Sequence, residues 1–218
     1  MSDIELKTSR LVKARDSLYK RERRSPLNIC LNVIIVLFCS ILILELSFNM
    51  LFTGIYVIDE SMMPTVVGAD RNHPNAPGGD FIYVDKLAKP NYGDIIVIYR
   101  ETADGTKGNI IKRVVAFGGD TVKIVEGKLF VNGEEVNESY LDADYNLPEK
   151  DCNTFAEHIV EEGCMFLLGD NRNVSSDSRQ NGDYPIKNLV GVVPNWSMKM
   201  KSATTKIYTF FNFTMWGN

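Results

Sequence analysis

Between Leu27 and Leu44 this chain carries no charged side chain, and only Asn28, Asn32 and Ser40 interrupt an otherwise apolar run. About 20 apolar residues rising 1.5 Å each cross a bilayer core. Leu27–Leu46 meets that length, with Glu45 at its far end within reach of the headgroups. The run ends in bulky Phe48, Met50, Leu51 and Phe52 rather than the small residues that precede a cleavage site. The pattern therefore predicts an uncleaved transmembrane anchor over 27–53 and not a removable signal peptide.

Beyond the anchor the period changes. FIYVDKL (81–87), DIIVIYR (94–100), IIKRVVAF (110–117), DTVKIVEGKLFVNGEEV (120–136) and EGCMFLLGD (162–170) are short runs rich in β-branched and aromatic residues, broken by Gly, Asn and Asp. Glu126-Gly127 and Asn132-Gly133 read as two tight hairpin turns. Residues 68–80 are a turn-rich loop, 137–158 look irregular, and 137–165 is assigned as an irregular insertion or cap. No helical periodicity of similar strength follows the anchor. The aromatic end, KIYTFFNFTMW (206–216), reads either as a final strand or as a patch resting on a bilayer surface. The expected fold class is mainly β, a single N-terminal membrane helix followed by a β-rich domain over 54–218.

Charge adds a direction to this layout. The net charge is -4, which argues against a nucleic-acid partner. Yet Lys7, Arg10, Lys13, Arg15, Lys20, Arg21, Arg23 and Arg24 crowd the first 24 residues, against Asp3, Glu5, Asp16 and Glu22. A basic arm before a span stays in the cytoplasm. Residues 1–26 are thus expected inside, with 54–218 outside the cytoplasm in a single-pass arrangement. Of four cysteines, Cys30 and Cys39 sit in the apolar run and read as small buried hydrophobes. Cys152 and Cys164 could bridge in an oxidising compartment, although spacing alone does not supply the Cα separation.

Candidate chemistry centres on SMMPT, with Ser61 about ten residues past the anchor. A serine nucleophile needs a base. His73, in the loop, and His158, in AEHIVEE, read as solvated surface residues, and two isolated histidines supply no metal-ligand spacing. Lys112 is the better base. Period-two alternation puts it with Ile110 and Val114 on one face and Arg113 on the other. A lysine on an apolar face loses hydration of its charged form, so its pKa falls.

SMMPT, YGDIIVI, IKRVVAFGGD and GDNRNVSSDSR follow one another behind the span. In that order they resemble bacterial type I signal peptidases, from the span to about Asn195. The resemblance implies a membrane-anchored serine endopeptidase of the signal-peptidase fold type that removes signal peptides from preproteins, with Ser61 as nucleophile and Lys112 as general base. It implies that Ser175 hydrogen-bonds and orients the lysine amine, that Asp177 and Arg179 support the site, and that Gly169–Arg172 form the turn holding this segment. Val57, Ile58, Met62 and Ile110 are candidate lining for shallow pockets taking small residues. No cofactor or metal is implied. The implied partners are preprotein signal peptides and the lipid bilayer, with room for the secretion translocon. Asp59 departs from the serine or glycine that family members carry two residues before the nucleophile, and a carboxylate there cannot donate to an oxyanion. Self-cleaving SOS repressors are similar in Ser–Lys chemistry but soluble. A catalytically silent anchored module binding signal sequences or translocation partners is the alternative from another class, against which the retained Ser61, Lys112 and Ser175 argue.

Overall fold

The computed structural model describes residues 7–13, 26–69, 78–101, 105, 107–148, 150 and 153–215, the last four of these without their side chains. The chain forms two units, Met1–Phe48 and Asn49–Asn218.

Helix α1 (Pro26–Leu51) is 26 residues long, about 39 Å at 1.5 Å per residue, and apolar enough to cross a membrane by length and composition. None of its residues is buried. Cys30 and Cys39 are exposed free thiols rather than buried ones. The helix stops two residues before the expected end of the anchor. Phe52 already opens strand β1 (Phe52–Tyr56), whose aromatic and β-branched residues favour extended backbone.

Among the described residues eleven strands build two antiparallel sheets. The larger runs β1, β2 (Phe81–Asp85), β11 (Leu189–Val192), β3 (Ile95–Glu101), β4 (Lys107–Phe117), β9 (Cys164–Leu168), β10 (Tyr184–Pro185). The smaller runs β7 (Glu134–Glu135), β6 (Lys128–Val131), β5 (Thr121–Val125), β8 (Phe155–Ile159). Both expected hairpin turns form. Glu126 and Gly127 have φ of 49° and 80°, Asn132 and Gly133 53° and 82°, and positive φ at both central residues matches the right-handed twist of the flanking strands.

Strand β4 is the axis of the larger sheet. Its first three residues are exposed, but Ile111–Ala116 are all buried, because β3 and β9 flank it and both faces are covered. Arg113, expected on the face opposite Lys112, is therefore buried as well. Val57, Met62, Val66, Ile82, Val97 and Ile111 form one core, and Ile96, Ile98, Val114, Met165 and Leu167 another. Each such aliphatic side chain contributes about 1.5–3 kcal/mol on burial.

Two stretches depart from the sequence reading. Part of the segment read as irregular is strand β8, which pairs with β5. His158 within it is half-buried, its Nε2 3.0 Å from the carboxylate of Asp183, rather than solvated. Residues 206–215 of the C-terminal aromatic stretch are not a strand but the second half of helix α3 (Asn195–Met215), and Trp216 lies outside the described residues. Hydroxyls of α3 complete the open edge of β2: Ser197 Oγ accepts from Tyr83 N at 2.7 Å, and Thr205 Oγ1 accepts from Phe81 N at 2.7 Å. Thr204 Oγ1 donates to Phe81 O at 2.7 Å. Cys164 is a buried free thiol, its pKa raised by burial and then by Glu161. Its suggested partner Cys152, together with His73 and residues 70–77 of the turn-rich loop, lies outside the described residues.

Candidate active site

Ser61 is set by local backbone chemistry. Asp59, extended at φ −106° and ψ 143°, caps a single 3-10 turn, Glu60–Met62, its Oδ1 accepting Ser61 N–H at 3.2 Å. Met62 is fully buried beside Val57 and Val66 and pins the turn to the core. The turn is held from the far end of the domain too. Asn171 N donates to Ser61 O at 3.0 Å, and Asn171 Nδ2 to Glu60 O at 3.2 Å. Lys112 arrives from the middle of β4 with 2% of its surface exposed, and its Nζ sits 2.7 Å from Ser61 Oγ and 2.9 Å from Ile111 O. A buried amine within hydrogen-bond reach of a buried hydroxyl is the geometry that proton transfer to and from that hydroxyl requires.

The segment after β9 closes the back of this pair. Asp177 is fully buried and caps the short helix α2 (Ser178–Asn181). Its carboxylate accepts Gly169 N–H at 3.0 Å and is gripped in a fork by Arg179, Nε at 2.8 Å and Nη2 at 2.9 Å. Arg179 continues to Asn153 Oδ1 at 3.0 Å. Ser175 lies inside this clasp, 4% exposed, yet its Oγ has no hydrogen-bond partner. The expected bond from Ser175 to Lys112 is thus not made in this conformation. Gly169 sits between the segments, so close that a Cβ would lie 2.2 Å from Ser175 Oγ and 2.4 Å from Ser61 O. Gly169→Ala is expected to cut turnover about 10²-fold, because a displacement of about 1 Å at a reacting group costs that much. Overpacking should also cost about 1–3 kcal/mol of stability. Steady-state kinetics and a melting curve check both, and an alanine variant with wild-type turnover would mean that the clasp yields without moving Ser61.

Asp170 and Arg172, read from the sequence only as turn residues, belong to a second charged layer whose pairings sequence reading missed. Arg113 Nε and Nη2 meet Asp170 Oδ1 and Oδ2 at 2.8 and 2.6 Å, Arg113 Nη1 donates to Gly93 O at 2.7 Å, and the guanidinium lies 3.7 Å from the Tyr140 ring centroid. Buried Arg172 pairs with Glu138, which also accepts the Tyr140 hydroxyl. Burial, then the Glu138 charge, pushes the Tyr140 phenol well above its ordinary range. For Arg172 burial pulls downward, but Glu138 outweighs it and holds the guanidinium charged. Glu138 and Tyr140 belong to the segment expected to be an insertion or cap. Their charged and aromatic character beside a run of turn residues was the only available signal.

A cavity of about 130 Å³ opens beside Ser61 and Lys112. Val57, Ile58 and Ile110 line it, joined by Tyr56, Val97 and Asn109. Met62 does not, since it faces the core and is 0% exposed. A larger hollow of about 470 Å³ between β4 and the β6–β7 hairpin includes neither Ser61 nor Lys112. Among the described residues no cluster of three or more His, Cys, Asp or Glu side chains is arranged to hold a metal.

Residues 30–196 match the protein-family model described as signal peptidase, peptidase S26. Over 188 residues the chain is 31% identical to signal peptidase I P of Bacillus subtilis subsp. natto, covering 80% of this chain and 92% of that protein. It is 32% identical over 184 residues to signal peptidase I of Streptococcus pneumoniae, covering 68% of this chain and 83% of the other. A crystal structure of a signal peptidase I from Enterococcus faecalis is 30% identical in sequence, with a TM-score of 0.41 over 50% of this chain and 99% of that one.

Proposed function

The chain belongs to the signal peptidase family of S26 peptidases, and from that membership we propose that it removes signal peptides from preproteins with Ser61 as nucleophile and Lys112 as general base. The observation that carries this reading is the 2.7 Å approach of Lys112 Nζ to Ser61 Oγ, two buried groups 51 residues apart in sequence. Neutral Lys112 takes the Ser61 proton, and the alkoxide adds to the scissile carbonyl. The resulting ammonium then protonates the leaving amine. Water enters with Lys112 again as base, and the acyl group leaves as the new carboxylate. Ser175, its hydroxyl orphaned in the interior, is the reserve partner for the amine once Ser61 is acylated, and the Asp177–Arg179 fork holds it there. A buried polar group without a partner costs free energy and calls for such a role.

The groove beside Ser61 is small and largely apolar, which suits small residues at the first and third positions before the cut. In the same proposal α1 crosses the bilayer, residues 1–26 stay in the cytoplasm, and the β domain works outside, beside substrates tethered by their own uncleaved signals. A silent binding module has no need of an amine held against a hydroxyl.

Purified protein in detergent micelles is expected to cut a preprotein into mature chain and signal peptide. The active species carries deprotonated Lys112, so activity is present at high pH and lost as the pH falls through the amine's titration. Desolvation disfavours the ammonium. The rising limb of kcat/KM is therefore expected well below about 10.4, the free-lysine value. A limb that begins only there would mean that the amine is bathed in water, against the reading given above.

A further inference from the structure

We propose that Asp59 keeps the oxyanion donor of the resting enzyme occupied, so that each substrate must displace its carboxylate before the scissile carbonyl can be polarised. The inference rests on the reading of Ser61 as nucleophile. In an acyl transfer from serine, the nucleophile's own backbone N–H is a natural donor to the oxygen that becomes negative. Here that N–H donates to Asp59 Oδ1 at 3.2 Å. An ionised carboxylate accepts and cannot donate. It therefore holds the position the substrate oxygen needs, and it carries the same sign of charge as the oxyanion that develops there. Ser61 is only 2% exposed, so water screens that repulsion poorly.

The backbone of Asp59 is not free to retreat. Gly68 packs on it so closely that a Cβ there would lie 2.0 Å from Asp59 O, and Ala69 N donates to Val57 O at 2.9 Å just upstream. The side chain is half-buried at the margin of the groove beside Ser61. Displacement is thus a rotation of one short side chain, driven by the substrate segment that fills the groove. Asp59 is on this view a brake on the reaction rather than a part of its machinery, and it limits turnover where the groove is poorly filled.

The test compares kcat and KM on one preprotein in detergent for the wild type, Asp59→Ala, Asp59→Asn and Ser61→Ala. Alanine removes the acceptor. Asparagine keeps an oxygen for the turn but drops the charge and adds a donor. Asp59→Ala is expected to raise kcat/KM about tenfold, less than the 10²–10³ that a whole oxyanion donor is worth because the carboxylate is movable, and Asp59→Asn to raise it less, since its Oδ1 still accepts from Ser61 N–H and only the charge is gone. A purely structural cap would lower the melting temperature and could not raise turnover. If the alanine variant folds poorly, the asparagine variant still decides. Values at or below wild type in both, with Ser61→Ala inactive, overturn the brake and leave the Ser61–Lys112 reading standing. Full activity in Ser61→Ala overturns that reading, and the brake with it.

Discussion

Ser61→Ala and Lys112→Met are each expected to lower preprotein cleavage at least about 10⁴-fold, the scale on which removal of one member of a nucleophile–base set is felt. Because the two act as one unit, the double variant should be no slower than either single one. Neither substitution should harm the fold. Ser61→Ala deletes one oxygen, and Lys112 Nζ keeps its contact with Ile111 O. Lys112→Met fills nearly the same volume while removing a polar group from a position that is 2% exposed, so stability should hold or rise. Lys112→Arg separates a base from a mere contact. A guanidinium stays charged at any working pH and cannot accept a proton, so this variant should be as inactive as methionine. Release of mature protein, followed alongside a thermal melt, is the measurement. Cleavage by Lys112→Arg at a tenth of the wild-type rate or better would remove the lysine from the base role.

The parts of this molecule that are local in sequence are the ones the sequence announces. The apolar run that became α1 and the two turns at Glu126-Gly127 and Asn132-Gly133 each depend on neighbours within a few residues. Helix α3 escaped because its evident feature is a run of aromatic and Thr residues that favours a strand in isolation. It is helical because Ser197, Thr204 and Thr205 complete the edge of β2, more than 110 residues away. Strand β8 escaped for the same reason, its partner β5 lying some 30 residues upstream. In the site, period-two reasoning brought out Lys112 and placed Arg113 on the opposite face without showing that this face too is covered. Only the position of β9 and the loop carrying Asp170 shows that both faces are closed. Met62, read from the sequence as pocket lining beside Ser61, is instead turned into the core by the one-turn helix.

Arg113→Met is expected to cost about 3–5 kcal/mol of stability. Asp170 is fully buried, and both its oxygens are met by the Arg113 fork at 2.8 and 2.6 Å. Removing the guanidinium strands that charge where water does not reach. It also deletes the bond to Gly93 O and the stacking on Tyr140. At about 2–4 °C per kcal/mol for a domain of this size, the melting temperature should fall by roughly 6–20 °C. The double variant Arg113→Met with Asp170→Leu should recover much of the loss, since an apolar pair of similar volume has no stranded charge. The coupling energy from this cycle measures the pair itself. A single-variant loss below about 1 kcal/mol would place the pair among solvent-screened surface bridges, contrary to its burial. Because Arg113 follows Lys112 directly on β4, catalysis in the double variant reports something separate: whether the strand needs the ion pair for its register or only for its depth. Recovered stability with lost cleavage would assign the pair to positioning Lys112, and recovery of both would assign it to the fold alone.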